Sequence, residues 1–170
     1  MKKLLLGAVI AVFAMSNVNA QETTFGLKAG ADFASSKLKM EGISLTGSET
    51  GFYIGAFAEI GLSDSFTFQP EVLYVSIEGF DQVSIPLMAK IALSEKFDAL
   101  VGPSLGFLLD SEEGYKSFNY GIEAGVAYDL TEDLFLEARY NMGLANLIED
   151  APSGYSSKIS GLFVGLGYRF

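Results

Sequence analysis

From Thr24 to Phe170 the chain alternates apolar and polar positions with a period of two, the mark of strands with two unlike faces. Segments of this kind, each about a dozen residues long, run over 24–35, 51–62, 66–77, 82–93, 97–109, 117–129, 133–144 and 158–170. The last is the clearest. Leu162, Val164, Leu166, Tyr168 and Phe170 make one face; Gly161, Phe163, Gly165, Gly167 and Arg169 make the other. In the first, Phe25, Leu27, Ala29, Ala31 and Phe33 oppose Gly26, Lys28, Gly30 and Asp32. Residues 63–65, 94–96 and 130–132 read as tight turns, and 37–50, 110–116 and 145–157 as longer loops rich in Gly, Ser and acids. The link near Glu78-Gly79-Phe80-Asp81 is short where a long loop is expected. Short and long connections in alternation join up-and-down neighbours, and an even strand number brings both ends of the chain to one side. A dozen residues at about 3.3 Å each, tilted by about 40°, rise roughly 30 Å.

The first twenty residues are of another kind. Lys2 and Lys3 precede an apolar stretch from Leu4 to Met15, too short to cross a bilayer as a helix, and Val18-Asn19-Ala20 is a small-x-small cleavage site. Residues 1–20 are therefore expected to be a signal peptide cleaved before Gln21, with residues 21–170 as one domain. No Cys stands at that point, so the leader is not of the lipoprotein type. Losing two lysines takes the formal charge from −10 to −12, which argues against a nucleic-acid partner. Mean hydropathy is nevertheless +0.32, although no apolar run after residue 20 approaches the length of a membrane helix. Alternation accounts for both facts. In lipid an unpaired backbone group costs several kcal/mol, so only a closed barrel lets such strands cross. The expected fold is all-β: an eight-stranded antiparallel up-and-down transmembrane β-barrel, exported to the outer membrane.

The faces settle which side meets lipid. One face carries Lys28, Asp32, Glu59, Gln69, Glu71, Ser84, Lys90, Asp98, Glu123, Glu137, Arg139, Asn141 and many glycines. A basic residue on the lipid side at mid-depth costs about 2–4 kcal/mol, so this face must line the lumen. A soluble lipocalin-like barrel, apolar inside, would need a water-facing wall dense in Lys, Glu and Thr. The apolar face also sorts its aromatics by depth, Phe25, Phe66, Phe68, Phe97, Tyr128, Tyr168 and Phe170 at one rim and Phe33, Phe52, Tyr74, Phe107, Phe118 and Tyr120 at the other, as two membrane girdles do. Counted from their strand ends on the side of the termini, Lys28, Glu59, Glu71, Lys90, Glu123, Glu137 and Arg139 lie three to six residues in, so three cations and four acids are expected in one band. In a tube just wide enough for side chains they should pair, with the forked guanidinium of Arg139 as hub. Leu166, Tyr168 and Phe170 form the C-terminal pattern expected to be read by the outer-membrane insertion machinery. Pro70, Pro86 and Pro103 fall inside strands, where bulges or weakened pairing are expected.

With those residues in place, the chain resembles the PorT-like family of outer-membrane β-barrel proteins of the Bacteroidetes group. The resemblance is carried by Phe25-Gly-Leu-Lys-Ala-Gly30, Gly51-Phe-Tyr-Ile-Gly-Ala-Phe-Ala-Glu-Ile60, Phe68-Gln-Pro-Glu-Val-Leu-Tyr74, Ile85-Pro-Leu87, Gly102-Pro103, Leu136-Glu-Ala-Arg-Tyr140 and Gly165-Leu-Gly-Tyr-Arg-Phe170. The family implies an eight-stranded outer-membrane barrel but no single activity, and some of its relatives are tied to secretion and gliding machinery.

The chemistry of catalysis finds little to use. The chain has no His, Cys or Trp, so the usual general base of a hydrolytic barrel, thiolate metal ligands and disulfides are all missing. Glu112-Glu113 and Glu149-Asp150 read as solvated loop charge, and Gly165-x-Gly167 lacks the strand–turn–helix setting of a phosphate loop. No cofactor or metal site is expected. The expected function is a non-enzymatic integral barrel: a scaffold, a surface protein or part of a secretion assembly. The expected partners are outer-membrane lipid, the insertion machinery transiently and, in the secretion-assembly reading, a component of secretion machinery. The other reading is a small transport or ligand-binding barrel.

Overall fold

A computed structural model of the chain describes residues 23–41, 43–78, 80–109, 115–149, 151–152 and 154–170. The expected leader over 1–20, its cleavage point before Gln21 and the loop acids Asp110, Glu112, Glu113 and Asp150 lie outside them. The strands are β1 (Thr23–Met40), β2 (Ile43–Ser63), β3 (Phe66–Ile77), β4 (Phe80–Ala92), β5 (Phe97–Leu108), β6 (Phe118–Asp129), β7 (Leu134–Gly143) and β8 (Ser156–Arg169). Each pairs antiparallel with the next, and β8 returns to β1 to close the barrel. Both ends of the barrel chain, Thr23 and Arg169, lie on one side; this is called the terminal end below.

Period two decides what each strand shows. Leu27, Ile54, Val126, Leu136 and Leu166 point outward and remain about half exposed (56%, 54%, 49%, 42% and 47%), while Lys28, Glu71, Glu123, Glu137 and Arg139 are buried. This inverts the arrangement of a water-soluble protein and suits a barrel whose solvent is hydrocarbon. The outward aromatics meet across strands near each rim. At the terminal end the Phe97 and Tyr128 rings are 4.7 Å apart; at the other end Phe107 and Phe118 are 5.2 Å apart, and Phe52 and Tyr74 6.4 Å.

Two of the three turns at the terminal end share one construction. In the β4–β5 turn the Ser94 hydroxyl accepts from the Phe97 amide at 3.2 Å; in the β6–β7 turn the Thr131 hydroxyl accepts from Leu134 at 3.0 Å. Ser and Thr are favoured there because a short side chain can satisfy amides the ladder has released.

Two features depart from the sequence expectation. Residues 37–50 are not a loop. The β1–β2 ladder runs on through Ser35↔Ser48 and Leu38↔Leu45 to Met40↔Ile43, and the chain reverses there with Glu41 in the left-handed region (φ 40°). The cause is a local alternation, Leu38 and Met40 facing Leu45 and Ile43, that outweighs the Gly- and Ser-rich composition beside it. Part of 145–157 also folds inward. The Asn146 carboxamide donates to the Tyr155 carbonyl at 3.1 Å and accepts from the Ser157 amide at 3.0 Å, which seats Ala145 and Leu147 with Leu108 and Ile159 over the mouth of the lumen.

The prolines interrupt pairing without shifting it. The β3–β4 ladder is open between Pro70↔Leu87 and Leu73↔Ser84, and the β4–β5 ladder between Pro86↔Ser104 and Ala89↔Val101, with the same register on either side. A proline removes one donor but keeps an extended φ, so weakened pairing suffices and no bulge is needed. The register shift in this wall lies instead at Gly61/Ser63, beside the β2–β3 turn.

Candidate functional site

The lumen is stacked in tiers, and the central one is ionic. Lys28 from β1 reaches Glu71 of β3 and Glu137 of β7, each at 2.9 Å. Arg139, two residues on from Glu137 along the same face of β7, lies 3.1 Å from Glu71, 3.2 Å from Glu123 of β6 and, through Nε, 2.8 Å from Glu137. Gln69 donates to Glu71 at 2.8 Å, and Asn141 to Glu123 at 3.0 Å. Four strands thus share one network, and acids from three of them, β3, β6 and β7, meet at the guanidinium. All of these groups but Asn141 are essentially sealed from solvent, so each charge depends on its partners rather than on water. The contacts are close rather than ideal. Arg139 Nε and Nη2 and Glu71 Oε2 have no well-aligned hydrogen-bond partner, so at these atoms the tier is held by charge alone.

A second ionic tier sits nearer the terminal end. Lys90 of β4 pairs with Glu59 at 2.8 Å and Asp98 at 3.2 Å, and Arg169 of β8 with Glu59 and Asp129, both at 2.9 Å. The band expected from residue counting therefore divides in two: Lys28, Glu71, Glu123, Glu137 and Arg139 above, Glu59 and Lys90 below. Asp98, Asp129 and Arg169 complete the lower tier. Their inward parity was readable, but being so near the strand ends they lay outside the band that was counted.

Between the tiers lies an aromatic plate. Phe57 and Phe135 pack edge to face with centroids 5.6 Å apart, among Met88, Leu100 and Ala127. The rings also serve the charges. Lys28 stands 5.5 Å over Phe57, and Lys90 and Arg169 stand 5.7 and 4.5 Å over Phe135. Two glycines make room for the plate, because a Cβ at Gly26 would meet the Phe57 ring and one at Gly167 the Phe135 ring. Beyond the central tier, Tyr53, Leu73, Val75, Ile77 and Phe163 fill one side of the lumen, and a polar cavity occupies the other. The sequence reading treated the inner face as charge and glycine; it missed this apolar filling.

Leu166, Tyr168 and Phe170 point outward and are 47%, 51% and 71% exposed. Phe170 donates its amide to the Phe25 carbonyl at 3.0 Å, so the C-terminus helps to close the barrel against β1. Among the described residues no three acidic side chains gather as a metal site.

Residues 77–149 match the family described as the outer membrane protein beta-barrel domain. A search of curated protein sequences finds no match. Among solved structures, Neisserial surface protein A is similar at 17% identity and a TM-score of 0.55, covering 88% of this chain and 99% of that one. Ail, the attachment invasion locus protein of Yersinia pestis solved with the heparin analogue sucrose octasulfate, is similar at 17% identity and a TM-score of 0.54, over 88% and 99% of the two chains. A de novo designed transmembrane β-barrel is similar at 9% identity and a TM-score of 0.52, over 86% and 95%. The protein has a closed eight-strand antiparallel β-barrel fold, similar to the barrels of Neisserial surface protein A and Ail.

Proposed function

We propose that this protein is a non-conducting, non-enzymatic barrel of the outer membrane, of the PorT-like kind, acting as a scaffold or surface element or as a part of a secretion assembly. One observation supports the reading: the lumen is crossed by the Arg139 tier and the Phe57–Phe135 plate, whose groups meet at ion-pair and ring-contact distances. A barrel of eight strands is just wide enough for side chains to fill. In planar bilayers the protein should give no steady large-conductance steps. Regular porin-like steps would overturn the reading and put the transport alternative ahead of it.

Export by a cleaved leader over residues 1–20 and handover to the outer-membrane insertion machinery belong to the same proposal. The outward row Leu166, Tyr168 and Phe170 supports it, since these side chains make no part of the lumen packing. Deleting Phe170 should leave export to the periplasm intact and lower the membrane-inserted fraction, read by heat-modifiable gel migration of membrane extracts. Undiminished insertion would remove the terminus from this role.

A further inference from the structure

The polar cavity above the central tier contains a charge that the rest of the barrel does not answer. Asp32 is 2% exposed, its Oδ1 has no hydrogen-bond partner, and among the described residues no Lys or Arg pairs with it. Asn119, 8% exposed, turns a second unpartnered oxygen, Oδ1, to the same cavity. Gln82, Ser84, Ser104 and Asn141 complete the polar lining. The wall beside these groups is kept bare by glycine. A Cβ at Gly161 would come 2.5 Å from Asp32 Oδ1, one at Gly106 2.9 Å from Gln82 Oε1, and one at Gly121 3.1 Å from Asn141 Oδ1. The centre of a water-sized occupant has about 20 Å³ in which to move, enough for one small ion or water.

Charge decides between those occupants. On this side of the aromatic plate Lys28 and Arg139 are taken up by Glu71, Glu123 and Glu137, and no cation is left over for Asp32 among the described residues. A buried carboxylate without a partner is neutralised by a proton or by a cation, and a water molecule alone does neither. All the side-chain atoms that can turn to the cavity as ligands are oxygens, from one carboxylate, hydroxyls and carboxamides, the donor set of a hard cation. We propose that this cavity is a binding site for a single divalent cation, Ca²⁺ in kind, with Asp32 as its charged ligand and Asn119, Ser84 and Ser104 among its neutral ones. With one carboxylate its affinity should lie at the weak end, at a Kd of about 10⁻⁴–10⁻³ M.

The test uses the full barrel in detergent or vesicles. CaCl₂ should raise the unfolding temperature of the wild type saturably over the millimolar range, relative to the same protein in chelator. Tb³⁺ should bind with luminescence sensitised through tyrosine, Tyr53 being buried in the lumen on the same side of the central tier. Asp32→Asn should abolish the Ca²⁺ shift and weaken Tb³⁺ binding at least tenfold, yet be as stable as the wild type in chelator, because it removes an unanswered charge. Asn119→Ala should weaken Tb³⁺ binding less, and serves as the readout if Asp32→Asn does not fold. Combined Gln substitution of Glu41, Glu49 and Glu149 should leave the ion response in place. No Ca²⁺ or Tb³⁺ response in the wild type, or a response kept by both cavity variants and lost with the loop acids, would overturn the site.

Discussion

Arg139→Ala is expected to destabilise the folded barrel by about 3–5 kcal/mol, the range for removing one partner of a buried ion network. The guanidinium answers Glu71, Glu123 and Glu137 at 3.1, 3.2 and 2.8 Å, and without it those carboxylates share only Lys28, which reaches two of them. Water cannot take its place, since Arg139 is 1% exposed. Ser84→Ala should cost no more than about 1 kcal/mol, the net value of one neutral hydrogen bond, because Ser84 exchanges a single 3.3 Å contact with Ser104. Asn141→Ala should fall between the two. Adding Glu71→Gln to Arg139→Ala should recover part of the loss, as it removes one of the stranded charges. The measurement is the urea midpoint of barrels folded into vesicles. Equal costs for Arg139→Ala and Ser84→Ala would mean that the network does not hold the lumen together.

Phe135→Ala should cost about 3–5 kcal/mol by loss of a buried aromatic side chain and the cavity left behind. The ring is 1% exposed, packs against Phe57, and lies under both Lys90 and Arg169. Collapse cannot readily fill the gap, because the strands around it are fixed by closure of the sheet and the wall behind it is Gly167, which offers no side chain to move in. The variant should nevertheless stay closed to ions, since the Arg139 tier still crosses the lumen. Loss of stability together with new conductance would move the seal from the ionic tier to the aromatic plate. A change below about 1 kcal/mol would mean the site repacks, against the rigidity expected of a densely packed interior.

The inner and outer sets were legible because a strand's geometry is local. Alternation put Lys28, Glu71 and Glu137 on one face and Leu27, Leu136 and Leu166 on the other, and one slip in any strand would have set a charge in hydrocarbon. The girdles followed from the same parity. The β1–β2 extension was in principle legible as well, since Leu38, Met40, Ile43 and Leu45 continue the alternation; composition drew the boundary too early. Even the division of the charges had a trace in the sequence. Glu59 and Lys90, in the lower tier, were those counted at the shallowest depth.

By itself, then, the sequence determined the class of the protein: strand number, up-and-down order, which face meets lipid, and that the buried charges must pair. The tertiary structure alone decided who pairs with whom. Period two fixes a side chain's face, whereas its height in a barrel depends on strand tilt and on the stagger accumulated around the sheet. That stagger brings Arg169, at the end of β8, to Glu59 and Asp129, and Lys28 of β1 to Glu71 two strands away. It also strands Asp32 beyond the reach of any cation in the described residues, and slots Phe57 and Phe135 onto the bare backbone of Gly26 and Gly167. Contacts of this kind join residues distant in the chain through a closure that no single strand encodes.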